Sequence, residues 1–388
     1  MSEAERLARL SERSESERDG AVATERGMKD SDQRGDFAVY VHIPFCATRC
    51  DYCAFATWTD RIGVAEAYVD AVRRDIVRSY AADALPVATS VFFGGGTPSI
   101  LPGPLLMTIL DAVPRTTDAE VTVECNPDTV TPELLAAYRD GGVNRLSFGV
   151  QSMVPSVLKA LGRSHDPDNV RVSVELARQA GFESFNLDLI YGAVGESIAD
   201  WETTLTHALA LDPPHISAYG LTVEPGTPLA DDPARHPDDD EQADKYILTD
   251  EMLTAAGLAN YEISNWAKPE HECRHNQLYW QQGNYLGVGS AAHSHRDGRR
   301  WWRIRTPERY IEQVERGQST EAAGETLDDA TRHFEGLELA LRTSTGVPAT
   351  QIDTEGLDSL VETMGVNVVL TRFGRLLANE IAMRLADS

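Results

Sequence analysis

Phe37-Ala38-Val39-Tyr40-Val41-His42-Ile43 reads as a β-strand, and it runs straight into Pro44-Phe45-Cys46-Ala47-Thr48-Arg49-Cys50-Asp51-Tyr52-Cys53. Three of the five cysteines in 388 residues fall in the last eight of these positions. The CxxxCxxC spacing puts three thiolates on one short loop, enough to hold three irons of a 4Fe-4S cluster and leave the fourth iron without a protein ligand. A structural zinc site closes four ligands, usually from paired C-x-x-C knuckles, and a second pair is missing here. A disulfide framework fits poorly as well. The chain is long, its cysteines are odd in number, and no hydrophobic signal segment is present, which together point to a reducing cytoplasm.

Outward from this stretch, apolar β-branched runs alternate with amphipathic ones. Strands are expected at Phe37 to Ile43, Ala88 to Phe93, Glu120 to Cys125, Asn144 to Val150, Glu183 to Ile190 and His215 to Leu221. Helical length and period mark Val64 to Ala81, Leu105 to Val113, Pro132 to Asp140, Pro155 to Leu161, Asp168 to Ala180 and Ala199 to Leu211. Six strand-helix units in a row predict an α/β fold with a parallel sheet. Polar groups gather where the strands end: the cysteine loop after the first, Gly94-Gly95-Gly96-Thr97-Pro98 after the second, Glu124 at the third, Gln151 at the fourth and Asp188 at the fifth. Strand-to-helix loops of an α/β barrel converge at that end, so a partial six-unit barrel is the expected architecture.

The balance of 35 basic and 61 acidic residues, a net charge of −26, excludes a general nucleic-acid surface, which needs a cationic footprint. No apolar run approaches the length of a membrane span. The acidic run Asp238-Asp239-Asp240-Glu241 reads as an exposed loop, not a metal site. Residues 1–36 are rich in Ser, Glu, Arg and Asp and read as a disordered or weakly helical leader.

Each polar motif also has a bland reading. Gly94 to Gly96 suits a tight turn, and the pattern is neither a P-loop nor a dinucleotide fingerprint. Glu124 suits a turn cap, Arg163 and Asp188 suit a structural ion pair, and His275, beside Tyr279 and Trp280, suits a hydrogen-bonded structural histidine. A carboxylate and an amide at a barrel mouth also suit hydroxyl and amino groups of a ligand, and an imidazole flanked by flat rings suits a porphyrin iron.

The cysteine loop, with Tyr40 ahead of it and Tyr52 before the third cysteine, resembles the signature of the radical S-adenosylmethionine (SAM) superfamily. That resemblance implies a 4Fe-4S cluster on Cys46, Cys50 and Cys53, SAM chelated to the open iron, and reductive cleavage of SAM to a 5′-deoxyadenosyl radical. From Val39 to about Arg342 the chain is similar to the HemN/HemW branch. The likeness rests on His42 to Cys46, Gly94 to Ser99, Glu124 to Pro127, Arg145 to Gln151, Leu161 to His165, Asp188 to Gly192 and His215 to Tyr219. It implies SAM contacts at Tyr40, Tyr52, Gly95, Gly96, Thr97, Glu124, Gln151, Arg163 and Asp188. Gly192-Ala193-Val194-Gly195-Glu196-Ser197 departs from the branch's usual Gly-Leu-Pro-Gly-Gln-Thr.

Two features lean toward the chaperone-type group of that branch and away from its oxidases. Phe55 stands where the oxidases carry a further cysteine, and Arg274-His275-Asn276-Gln277-Leu278-Tyr279-Trp280 resembles the HNxxYW motif linked with heme binding. The resemblance then implies a cytoplasmic heme chaperone that transfers heme to apo-hemoproteins such as respiratory enzymes, with His275 as candidate heme contact and Cys273, His293 and His295 as other candidates. It leaves peripheral membrane contact and a homodimer open. The alternative is an oxygen-independent coproporphyrinogen III oxidase or a radical methyltransferase. The implied organisation is a core over 37–270, a connecting segment over 271–330 bearing the HNxxYW motif, and a small, mostly helical, winged-helix-like C-terminal domain over 331–388.

Overall fold

In the computed structural model, which describes residues 35–386, all six expected strands form. They are β1 (Phe37–Ile43), β2 (Ala88–Gly95), β3 (Arg115–Cys125), β4 (Arg145–Gln151), β5 (Ser184–Tyr191) and β6 (His215–Gly220). They lie side by side in chain order, every pair parallel. The crossovers are α1 (Ala65–Asp83), α2 (Gly103–Asp111), α3 (Pro132–Gly141), the pair α4 (Pro155–Ala160) and α5 (Pro167–Gln179), and α6 (Ile198–Leu209). The expected leader, apart from its last two residues, lies outside the described residues.

The pleat divides these strands into two chemically different faces. Val39, Val41, Ile43, Val91, Phe93, Val121, Val123, Leu146, Phe148, Leu187, Leu189 and Ile216 are buried in one apolar core. That core also takes in Val72 and Ile76 of α1, Leu106 and Leu110 of α2, Leu135 of α3 and Leu205 of α6. Alternate residues point the other way and are polar: Glu124 on β3, Arg145 and Ser147 on β4, Asn186 and Asp188 on β5, and His215 and Ser217 on β6 all line one cavity. Because strand side chains alternate with period two, the crossover helices pack on one face and leave the other for chemistry.

The sheet extends well beyond the six units. After α7 (Asp239–Ala255) come β7 (Ala259–Glu262), β8 (Asn265–Ala267), α8 (Arg274–Trp280), β9 (Asn284–Val288), β10 (His293–Arg296), β11 (Arg299–Arg303), α9 (Pro307–Glu315) and β12 (Glu321–Thr326). The sheet order is β12-β11-β10-β9-β1-β2-β3-β4-β5-β6-β8-β7. β9 adds a seventh parallel strand outside β1. The two ends of this order do not pair, so the barrel stays open.

The acidic run expected to be a loop instead opens a helix. Asp238 caps α7, its Oδ1 accepting the Glu241 N–H at 3.0 Å, and Asp239, Asp240 and Glu241 form the first turn. Carboxylates there oppose the positive end of the helix dipole, which explains why so acidic a run folds.

The last part of the chain has its own three-stranded sheet, ordered β13 (Val347–Pro348), β15 (Asn367–Leu370), β14 (Val361–Met364). With α10 (Asp329–Leu341), α11 (Arg372–Leu376) and α12 (Ala378–Ala386) it encloses a separate core around Leu337, Leu341, Val347, Leu370 and Ile381. Arg372 and Arg375 of α11 both bond Asp250 of α7, and Arg342 bonds Glu262 of β7. Among the described residues no helix is long and apolar enough to cross a membrane.

Candidate cofactor and ligand site

Past β1 the chain turns sharply and presents its three cysteines, all free and partly buried. The loop is tied down by backbone bonds: Cys46 N–H donates to Trp58 O at 3.1 Å, Trp58 N–H to Pro44 O at 2.8 Å, and Asp51 O accepts from Leu229 N at 3.0 Å. The Gly-rich turn after β2 rests directly on it. Gly96 N–H donates to Ile43 O at 2.7 Å, Thr97 N–H to Phe45 O at 2.8 Å, and Thr97 Oγ1 stands 3.7 Å from Cys46 Sγ. A Cβ on Gly96 would meet Phe45 O at 2.6 Å and Cys46 Sγ at 3.0 Å, so only glycine lets the two loops touch. Gly95 has φ of +107°, and a Cβ there would strike the His42 ring at 2.4 Å.

From the far side Arg163 reaches the same loop. Its Nη1 donates to Cys50 Sγ at 3.5 Å and its Nη2 to Gly149 O at 2.8 Å, while its buried Nε has no partner. Gln151, left-handed at φ of +63°, ends β4 beside it with a buried Oε1 also unpartnered. Arg163 therefore does not pair with Asp188, which removes the structural ion pair as a reading of these residues. Tyr52 turns away from the cavity and packs with Val157, Leu161, Ile190 and Leu221.

Three partly buried thiols around one loop, a guanidinium on one of them, and orphaned donors and acceptors beside them fit an iron–sulfur cluster with a polar ligand on its open corner. Among the described residues no three His, Cys, Asp or Glu side chains are grouped to hold a single metal ion. Cys125 and Cys273 are buried elsewhere. Cys125 lies in the helix-facing core, and Cys273 donates to Glu120, its thiol pushed up to about 12 by burial and then by the Glu120 charge.

Beyond the loop opens a cleft of about 590 Å³. Tyr40, Gly95, Glu124 and Asp188 line it together with His275. Glu124 Oε2 accepts the Gly95 N–H at 3.2 Å. Burial first, then the negative Asp188, hold the Glu124 carboxyl up at about 8. Asp188 is raised by burial too, with hydrogen bonds from Ser147 Oγ and Asn186 Nδ2, both at 2.8 Å, pulling back. A carboxyl that keeps its proton up to about pH 8 beside a second raised carboxyl can release that proton when a cationic ligand arrives, and then accept the ligand's donors.

The HNxxYW segment is α8, and it lies across the inner face at the foot of β2 and β3. Glu120 of β3 fixes it there, its two oxygens accepting Arg274 N–H and His275 N–H, each at 3.0 Å, at the positive end of the helix. His275 is buried, with Nδ1 3.0 Å from Ser90 Oγ and Nε2 2.8 Å from Tyr279 OH. Burial and then Arg145 lower its imidazole to about 3, so it stays neutral. His295 is likewise occupied, bonding Gly283 O and the Gly298 N–H. His293 is exposed at the cleft, its ring stacked on Trp302 at 5.6 Å, and makes no ring hydrogen bond among the described residues.

Several residues of the cleft were given no site role by the sequence, although His42, Arg145, His215 and Ser217 lie within the stretches that carry the likeness: His42, Arg145, Asn186, His215, Ser217 and Tyr285. His42 Nε2 donates to Ala56 O at 3.0 Å, which leaves Nδ1 to accept from Tyr40 OH at 3.1 Å. His215 Nδ1 donates to Asn186 Oδ1 at 2.6 Å, and Tyr261 OH donates to its Nε2 at 2.7 Å. Their signal in the sequence is a polar residue at every second position of otherwise apolar strands, as in Arg145-x-Ser147, Asn186-x-Asp188 and His215-x-Ser217.

The family model described as Radical SAM superfamily matches residues 40–208. A relative from Mycobacterium tuberculosis H37Rv named Heme chaperone HemW is 40% identical over 369 residues, covering 90% of this chain and 94% of its own. Relatives of the same name from Escherichia coli K12 and Bacillus subtilis 168 are 38% and 32% identical, over 79% and 89% of this chain and 84% and 97% of theirs. Among solved structures, coproporphyrinogen III oxidase (HemN) from Escherichia coli, described as a radical SAM enzyme, superposes with a TM-score of 0.79 over 90% of both chains. It is 24% identical, so that likeness is one of fold.

Proposed function

The chain belongs to the HemW family of the radical SAM superfamily, and from that premise we propose that it is a cytoplasmic heme chaperone, binding a 4Fe-4S cluster, SAM and heme and delivering heme to apo-hemoproteins such as respiratory enzymes. The family implies the cluster and SAM. The observation that carries the heme part is that one cleft joins two constellations: Glu124, Asp188 and Gly95 next to the cysteine loop, and His275 and Tyr279 of the HNxxYW helix. Between them its walls bear the flat rings of Tyr40, Phe92 and Tyr285, suited to a planar macrocycle.

In this reading Cys46, Cys50 and Cys53 hold the cluster, and Arg163 steadies the charge on Cys50. Gly95, Gly96 and Thr97 give SAM a close backbone approach, with Tyr40, Glu124, Gln151 and Asp188 as its polar contacts and Tyr52 supporting the loop. Bound there, the cluster and SAM supply one-electron chemistry. The protein's own part is to position ligands and exclude water. An iron ligand at His275 would exchange the Tyr279 hydrogen bond for the metal, whereas His293 makes no ring hydrogen bond among the described residues.

Heme titration of anaerobically reconstituted protein, with coproporphyrinogen III conversion assayed alongside, tests this. The expected result is heme binding, transfer to an apo-hemoprotein, and a Soret shift in His275→Ala or His293→Ala. Robust porphyrinogen conversion would make the oxidase the answer.

A further inference from the structure

At the floor of the cleft stands a cation with no hydrogen-bond or ion-pair partner among the described residues. Arg145 opens β4, is 3% exposed and lines the cavity. It sits two residues below Ser147, whose neighbour across the sheet is Glu124, so it lies roughly 7 Å deeper than the layer of Glu124. Its Nε is buried without a hydrogen-bond partner. Among the described residues it makes neither a side-chain hydrogen bond nor an ion pair, and Glu120 and Asp188 act on it only through space.

The nearby carboxylates are already engaged. Both Glu120 oxygens hold the amides at the start of α8, and Asp188 is held by Ser147 and Asn186. His275 and His215 face the same guanidinium as neutral rings, each lowered by burial first and by Arg145 second, so neither adds charge of its own. Cys273, Tyr261 and Tyr219 complete the surroundings and are protonated. A buried guanidinium with its donors unmet is costly, and its planar fork matches a carboxylate.

We infer that Arg145 is a carboxylate-binding subsite at the cavity floor, taking a propionate of the porphyrin cargo. The inference rests on the heme reading above. Aromatic walls with a buried cation beneath them, the exposed Arg305 also lining the cleft, select a flat apolar ligand that carries an acid. An Arg–carboxylate fork in such a place is a charge-assisted pair, so its loss should lower affinity about 10- to 100-fold.

The test compares heme with its dimethyl ester, by absorbance titration of full-length wild type, Arg145→Met and Arg145→Lys. The subsite predicts that wild type prefers heme to the ester, that Arg145→Met loses this preference while binding the ester as wild type does, and that Arg145→Lys keeps part of it. The ligand-free melting temperature of Arg145→Met should change little, because the guanidinium makes no hydrogen bond or ion pair among the described residues and only the through-space attraction of groups such as Glu120 and Asp188 is lost. SAM affinity should stay unchanged. Equal losses for heme and ester, with a lowered melting temperature, would make Arg145 a structural residue and overturn the subsite. A loss confined to SAM would assign the guanidinium to the amino-acid moiety of SAM and overturn it too. Heme binding without ester discrimination sinks the subsite alone, while no heme binding by wild type sinks the heme reading and the subsite with it.

Discussion

Glu124→Gln should make the protein more stable in alkali and less able to hold SAM. In the folded chain the Glu124 carboxyl sits at about 8 instead of its ordinary 4.5, raised by burial and by Asp188. A raised carboxyl keeps its proton in the folded state where the unfolded chain has released it. Its stabilising effect is therefore full below about pH 4.5 and is lost progressively as the pH rises to about 8. A difference of about 3.5 pH units at 1.36 kcal/mol each gives an upper bound of ~5 kcal/mol lost by pH 8. The half-buried carboxyl faces the cleft, where water screens part of this, so ~1 to 3 kcal/mol is the expected size.

Glutamine fills the same space, still accepts the Gly95 N–H, and does not titrate. Denaturation of cluster-free protein between pH 5 and 9 should show the two curves together at the acid end and Glu124→Gln above wild type at the alkaline end. Calorimetric titration of SAM into reconstituted protein should show the opposite order. Wild type should bind more tightly as pH rises through 8, because ligand donors favour the ionised acid. Glu124→Gln should bind about 10- to 100-fold more weakly with no such trend. Parallel stability curves, or SAM affinities equal at every pH, would refute the assignment and leave Glu124 a turn cap.

Two further expectations concern the loops around the site. Gly96→Ala should lower iron and sulfide content after reconstitution, because its Cβ would press on Phe45 O and Ile43 O at 2.6 and 2.8 Å and lift the turn off the cysteine loop; unchanged iron content would show that the contact is dispensable. Lys245→Met should destabilise the fold by ~3 to 5 kcal/mol in chemical denaturation, since the buried Lys245 Nζ holds Glu196 O at 2.9 Å and stands 3.6 Å from Glu196 Oε2. Adding Glu196→Gln should recover most of that, and no recovery would mean that Lys245 supports the backbone alone.

Much of this fold is legible in the sequence because the units are local. Each apolar strand and each amphipathic helix announces itself within a dozen residues, and β1 spans the expected Phe37 to Ile43. β3 starts earlier than expected, at Arg115, because the polar stretch Arg115 to Asp118 has no apolar alternation and is ordered partly by parallel pairing with Ala88. β9 adds to the sheet through pairing with a strand almost 250 residues away, which no local pattern encodes. The Gly192-to-Ser197 departure is also accounted for only in three dimensions: Glu196 turns back to accept Gly192 N–H at 2.6 Å and is met by Lys245 from α7.

The site was legible in a different way. Residues near the strand ends stand out because glycines, cysteines and carboxylates break an apolar pattern. The floor does not, because Arg145, Asn186 and His215 lie at or near the starts of their strands, away from the loop ends, where a polar residue reads as noise until the inward row is assembled. The same division has an energetic consequence. Apolar burial that holds the barrel together lies on the helix-facing side, among residues such as Val121, Phe148 and Leu187. The inner face contributes chiefly hydrogen bonds and unpaired polar groups, so substitutions there should alter ligand binding more than folding. Arg145 is the extreme case: it makes no hydrogen bond or ion pair among the described residues, so its part is expected in binding what enters the cleft more than in holding the fold.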